Sequence, residues 1–129
     1  MKIAVNIAGA LLGLAFVAFA LMYFFMEMPQ PEFPADSAPA HFNAAFMPTG
    51  YMDFVKVMEL IGGLLVAIPI TRNFGLLIVG PIIVNIIAFH YFVMAGEGLF
   101  SPILIAIVVL ALFLLLAGGK RFAGLARAD

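Results

Sequence analysis

The chain has 129 residues, of which 66% are hydrophobic and 10% charged, with a mean hydropathy of +1.22 and a formal net charge of −1. So few polar side chains cannot cover the surface of a soluble globule, and a near-neutral charge gives no footprint for nucleic acid. With no cysteine, disulfides, thiolate iron–sulfur ligation and thiol relays are excluded as well.

Four apolar runs follow one another along the chain: Ile3 to Met26, Tyr51 to Ile70, Phe74 to Met94 and Pro102 to Ala117. They run unbroken, close to the ~20 residues that cross a bilayer as a helix, whereas barrel strands would alternate apolar and polar positions. The expected fold is all-α: four transmembrane helices forming a single membrane domain over residues 1–129.

The first run contains the small-x-small triplet Ala18-Phe19-Ala20, which resembles a signal-peptide cleavage site. Its apolar stretch continues through Leu21 to Met26, longer than a signal core of ~7–15 residues, so it is expected to remain as a span. Gly9 and Gly13, with Asn6 and Ala20 near the same face, offer a surface for close helix packing.

The connection from Glu27 to Gly50 carries Pro29, Pro31, Pro34, Pro39 and Pro48, and its first part should be extended. Between Ala40 and Met47, Phe42, Ala45 and Phe46 stand at helical spacing. A short amphipathic turn over the mouth of the bundle is expected there, either a surface loop or a lid.

In the second run Gly62-Gly63 should face inward. Asn73 is a candidate cap for the third helix, and Pro81 inside that helix frees a carbonyl one turn earlier. Ser101-Pro102 reads as the cap and first turn of the fourth helix, and Gly118-Gly119 as its stop. The fourth run, almost wholly Ile, Val, Leu and Phe, suits contact with lipid or with a partner helix.

Orientation follows from the loops. Lys2, Arg72, Lys120, Arg121 and Arg127 all belong to one side, while Glu27, Glu32, Asp36 and Glu97 belong to the other. Lys and Arg favour the cytoplasmic side, so both termini are expected there. Tyr23, Tyr51 and Tyr91 fall at the opposite ends of their helices, where amphipathic rings favour the headgroup layer.

The chemistry is expected where polar residues interrupt the apolar runs: Lys56 and Glu59 in the second, Asn85 and His90 in the third. Ionisable groups inside lipid are costly and mark sites or internal pairs. At ~1.5 Å per residue, Lys56 lies about 7 Å and Glu59 about 12 Å below the outer surface, and His90 and Asn85 about 7 and 15 Å below it. One cluster in the outer half of the bundle is therefore expected, with Asp53 toward the surface.

Each member also has a structural reading. Lys56 reaches outward to Asp53 or headgroups, Glu59 forms an ion pair with Lys56, His90 is a satisfied interfacial histidine, Asn85 bridges helices, and His41 is solvated in the loop. No metal-ligand spacing occurs, and no phosphate-binding glycine loop or nucleophile motif; a self-contained enzyme is not expected.

Thr49-Gly50-Tyr51, Lys56, Glu59 and Gly62-Gly63, followed on the next span by Pro81, Asn85-Ile86 and Phe89-His90, resemble the DoxX-like family of small four-helix integral membrane proteins. The resemblance covers the second to fourth spans. It implies residence in the bacterial cytoplasmic membrane and a role as membrane subunit of a quinone-linked oxidoreductase, such as thiosulfate:quinone oxidoreductase, or as a membrane chaperone or scaffold. It marks Lys56, Glu59, Asn85 and His90 as the site without saying what binds there; in the redox role the cluster is expected to hold a quinone head group, with Lys56 or His90 donating to its carbonyl and Glu59 carrying the proton. The implied partners are lipid, other membrane or peripheral subunits, or a second copy of the chain. Relatives engaged in thiol oxidation use cysteines, which this chain lacks.

Overall fold

A computed structural model describes residues 1–27 and 29–128; Met28 and Asp129 lie outside them. Every regular element among the described residues is helical: α1 (Lys2–Phe25), α2 (Ala38–Phe46), α3 (Tyr51–Ala67), α4 (Arg72–Ala88), α5 (Pro102–Ala117) and α6 (Gly119–Gly124). A 3₁₀ turn, Met47–Thr49, leads into α3, and a π-helical turn, Phe89–Val93, extends α4. The four long helices pack side by side, α1 against α3 and α5, and α4 against α3 and α5.

Among the described residues, two helices are long and apolar enough to cross a membrane: Lys2–Phe25, of 24 residues, and Arg72–Val93, of 22. Only 33% and 17% of their most apolar windows are buried, so most of that surface points out of the bundle. The same holds elsewhere: Leu11 and Leu14 on α1, Phe54 and Ile61 on α3, Val84 on α4, and Val109 and Leu112 on α5 are all exposed. An exterior of this kind suits a hydrocarbon solvent rather than water.

The helices approach closely where side chains are smallest. On α1 the buried stripe is Ala8, Gly9, Leu12, Gly13, Phe16 and Ala20, the three-and-four spacing of one helix face. A Cβ on Gly13 would stand 2.4 Å from the Gly63 carbonyl oxygen, and one on Gly63 would stand 2.7 Å from the Gly13 carbonyl oxygen. The two backbones thus touch, as the inward placement of these glycines anticipates. Gly75 repeats the device between α4 and α3, where a Cβ would meet the Val66 nitrogen at 2.4 Å. Leu12, Val66 and Val79 fill the centre completely.

Helix ends follow local chemistry. The Ser101 hydroxyl accepts from the Leu104 N–H (3.4 Å) ahead of Pro102, as its cap reading requires, and Ser37 does the same for α2 at the Ala40 N–H (3.4 Å). Gly50, at φ 77°, adopts the left-handed conformation needed to turn the chain into α3. The predicted amphipathic turn is α2, and it docks on the bundle through Phe42 against Phe89 (ring centroids 4.8 Å) and Phe46 against Tyr51 (4.9 Å).

Three local expectations are corrected. Asn73 does not cap α4: Thr71 occupies that position without a side-chain cap bond, and Asn73 lies inside the helix with its Oδ1 toward Gly118. Gly118 ends α5, but Gly119 opens the further short helix α6. The second apolar run stops being helical at Ala67, because Ile68 turns extended.

Beyond Ala67, the α3–α4 turn satisfies the carbonyls that end α3. Thr71 Oγ1 donates to Leu65 O (2.9 Å), Arg72 Nε to Val66 O (2.9 Å) and Arg72 Nη2, more weakly, to Ala67 O (3.5 Å). Helix C-termini carry partial negative charge and unpaired carbonyls, both of which a guanidinium answers. Arg72 Nη1 also donates to Asn6 Oδ1 (3.0 Å) on α1, and the missing side chain of Gly9 leaves the space in which the guanidinium lies. Arg72, read from sequence as a loop cation, is 6% exposed and ties α1, α3 and α4 together.

Candidate functional site

Asp53, Lys56 and Glu59 recur every third residue from the first turn of α3, a spacing that puts them on neighbouring positions of one helix face. Glu59 is buried among the helices, 4% exposed. Its Oε2 accepts a charge-assisted hydrogen bond from Lys56 Nζ at 2.9 Å, the ion pair of this helix. Lys56 in turn holds its ammonium 5.7 Å from the centroid of the Tyr23 ring, within cation–π range. Tyr23 Oη donates to Asp53 Oδ1 at 2.8 Å. The four side chains form a ladder from the end of α1 down the first half of α3, each group with a named partner.

Tyr23 belongs to this ladder rather than to the headgroup belt alone. The sequence carried a signal for it: Phe16 and Ala20 are buried on α1, and Tyr23 continues the same stripe one turn on. A tyrosine on a packing stripe requires a partner for its hydroxyl, and the nearest acidic residue on a facing helix is Asp53.

Asn85 and His90 are placed differently from Lys56 and Glu59. Asn85 is exposed on α4, and its Nδ2 donates to the Pro81 carbonyl of its own helix at 2.9 Å. It therefore does not bridge helices: on the exposed face of α4 its own helix supplies the acceptor. His90 stands in the π-helical turn, half-buried, with Nδ1 2.9 Å from the Ile86 carbonyl. That contact needs a proton on Nδ1, and Nε2 lies on the side of Gly98. Among the described residues neither side chain shares a hydrogen bond with Lys56 or Glu59, and His41 is exposed on α2.

On the α3–α4 seam, Phe54, Val55, Met58, Leu77, Ile78 and Ile82 line a separate apolar groove of about 300 Å³, to which none of Tyr23, Asp53, Lys56 and Glu59 contributes. The buried carboxylate and the partly open ammonium of the ladder offer a proton acceptor and a hydrogen-bond donor side by side. No protein-family model, curated protein or solved structure matches this chain.

Proposed function

We propose that this chain is a DoxX-like integral membrane protein that crosses the bacterial cytoplasmic membrane four times, through α1, α3, α4 and α5, with both termini in the cytoplasm. In this reading it serves as the membrane subunit or accessory of a quinone-linked oxidoreductase. The apolar exteriors of all four long helices support the four crossings. The segregation of Lys2, Arg72, Lys120 and Arg121 from Glu27, Glu32, Asp36 and Glu97 supports the orientation.

The observation that carries the functional reading is the Lys56–Glu59 pair, in which the carboxylate is buried and the ammonium keeps an open side. Ionisable groups are expensive in a bilayer, and a bundle that needed only register could use Gly and Asn contacts instead. Lys56 would donate to a quinone carbonyl, and Glu59, first protonated from water at the outer surface, would pass that proton to the ring oxygen as electrons reach the quinone. The electrons would come from a redox centre on a partner subunit, and the tail would run along the apolar exterior of the bundle.

A second reading, an assembly scaffold for a partner complex, is favoured by a different observation. Asn85 and His90 are each bonded to their own helix, which leaves the ladder self-satisfied and smaller than the expected cluster.

Purification in native lipid particles, followed by mass spectrometry, separates the two. The redox reading expects near-stoichiometric quinone, lost in Glu59→Gln while the helical fold persists. Absence of quinone from the unaltered protein, with a protein partner retained, would establish the scaffold reading in its place.

A further inference from the structure

At the opposite end of the bundle from the ladder, α1, the α3–α4 turn, α5 and α6 enclose a crevice of about 540 Å³. Lys2, Arg72 and Arg121 converge on it, Asn6 adds an amide, and Val5 and Phe113 form apolar wall. No Asp or Glu lines it among the described residues. Arg72 makes the arrangement unusual, being 6% exposed and having no carboxylate within ion-pair distance among the described residues. Its bonds to Val66, Ala67 and Asn6 engage three N–H groups of the five on a guanidinium and leave two for a ligand. A buried cation compensated only by carbonyls and an amide favours an anion beside it, and two further cations have been brought to the same opening.

We infer that this crevice is a binding site for the phosphodiester headgroup of an anionic phospholipid. Phosphate oxygens suit the fork of Arg72 and the reach of Lys2 and Arg121. A lipid, rather than phosphate from solution, fits the surroundings. The crevice is walled by Val5 and Phe113, and its rim residue Leu116 is 79% exposed on the apolar flank of α5 beside Leu112 and Leu115. Acyl chains leaving the headgroup would continue along that flank. Basic pockets between spanning helices on the cytoplasmic side recognise anionic lipid in this way. The inference rests on the membrane reading, but not on the quinone.

The full-length protein is reconstituted into nanodiscs of phosphatidylcholine with a minor fraction of phosphatidylglycerol, and lipids retained after gentle release are counted by native mass spectrometry. One phosphatidylglycerol is expected to be retained in preference to phosphatidylcholine. Retention should fall about fivefold for Lys2→Gln or Arg121→Gln and about thirtyfold for both together, as expected for surface cations near a headgroup. Lys120→Gln, an exposed cation next in sequence that does not line the crevice, should leave retention unchanged. Equal loss in Lys120→Gln would reduce the effect to general surface charge and overturn the site. Displacement of the lipid by millimolar inorganic phosphate would assign the site to a soluble anion and overturn the lipid. Stable insertion with no preference for phosphatidylglycerol overturns the inference alone, whereas failure to insert overturns the membrane reading with it.

Discussion

Within the Lys56–Glu59 pair, the side chains are 21% and 6% exposed, so the two partners tolerate loss of the other unequally. In Glu59→Gln the Lys56 ammonium can extend toward Asp53 three residues away and toward the surface, and the fold should survive. In Lys56→Met the carboxylate is left buried and unpaired, at a cost of about 3–5 kcal/mol. Thermal or denaturant unfolding in detergent should therefore rank Lys56→Met well below Glu59→Gln, and Lys56→Met/Glu59→Gln should recover most of the loss. Equal destabilisation by the two single changes would contradict the buried position of Glu59. Arg72→Gln removes the partner of Val66, Ala67 and Asn6 at once, and should cost about 3 kcal/mol on the scale of hydrogen bonds to charged groups. The same unfolding assay reads it, and a loss below about 1 kcal/mol would mean that the guanidinium is not the clasp of the α3–α4 turn.

Among the elements, α1 and α3 are joined by backbone contact at Gly13 and Gly63, and this is where the smallest change has the largest effect. Gly13→Ala places a methyl group 2.4 Å from a carbonyl oxygen, and helices that cannot repack must separate. Gly80→Ala is the matched control, since among the described residues nothing lies within 4 Å of a Cβ added there and alanine favours helix over glycine. A fall of several degrees in melting temperature is expected for Gly13→Ala, with no change or a rise for Gly80→Ala. A neutral Gly13→Ala would show that α1 and α3 are farther apart than described.

These contacts also show what was legible at the start. The glycine faces of α1 and α3, the Ser101-Pro102 start of α5 and the docking turn that became α2 were readable because each depends on local spacing or a single cap. Pairing between elements was harder to read. Nothing in the spacing of Lys56 decided between Glu59 and Asp53, and Asn85 settled on Pro81 because a helix always offers a carbonyl one turn back. Arg72 was missed for the same reason: a loop cation in sequence became a buried clasp only because Gly9 and Asn6, sixty-odd residues earlier, left it room.

As a whole molecule, the bundle is apolar outside, polar along one ladder at the end that carries α2, and basic around a crevice at the other. That polarity matches a membrane with unlike faces, and the account stands on all four long helices crossing it. The absence of native cysteine makes accessibility labelling clean. Single cysteines at Asp36, Ile70, Glu97 and Lys120, each exposed in a connection or beyond the last span, are treated in intact cells with a membrane-impermeant maleimide. The account predicts labelling at Asp36 and Glu97 in intact cells, and at Ile70 and Lys120 only after permeabilisation. Labelling of Ile70 together with Asp36 from the outside would mean that α3 does not cross, and the four-span architecture would be contradicted.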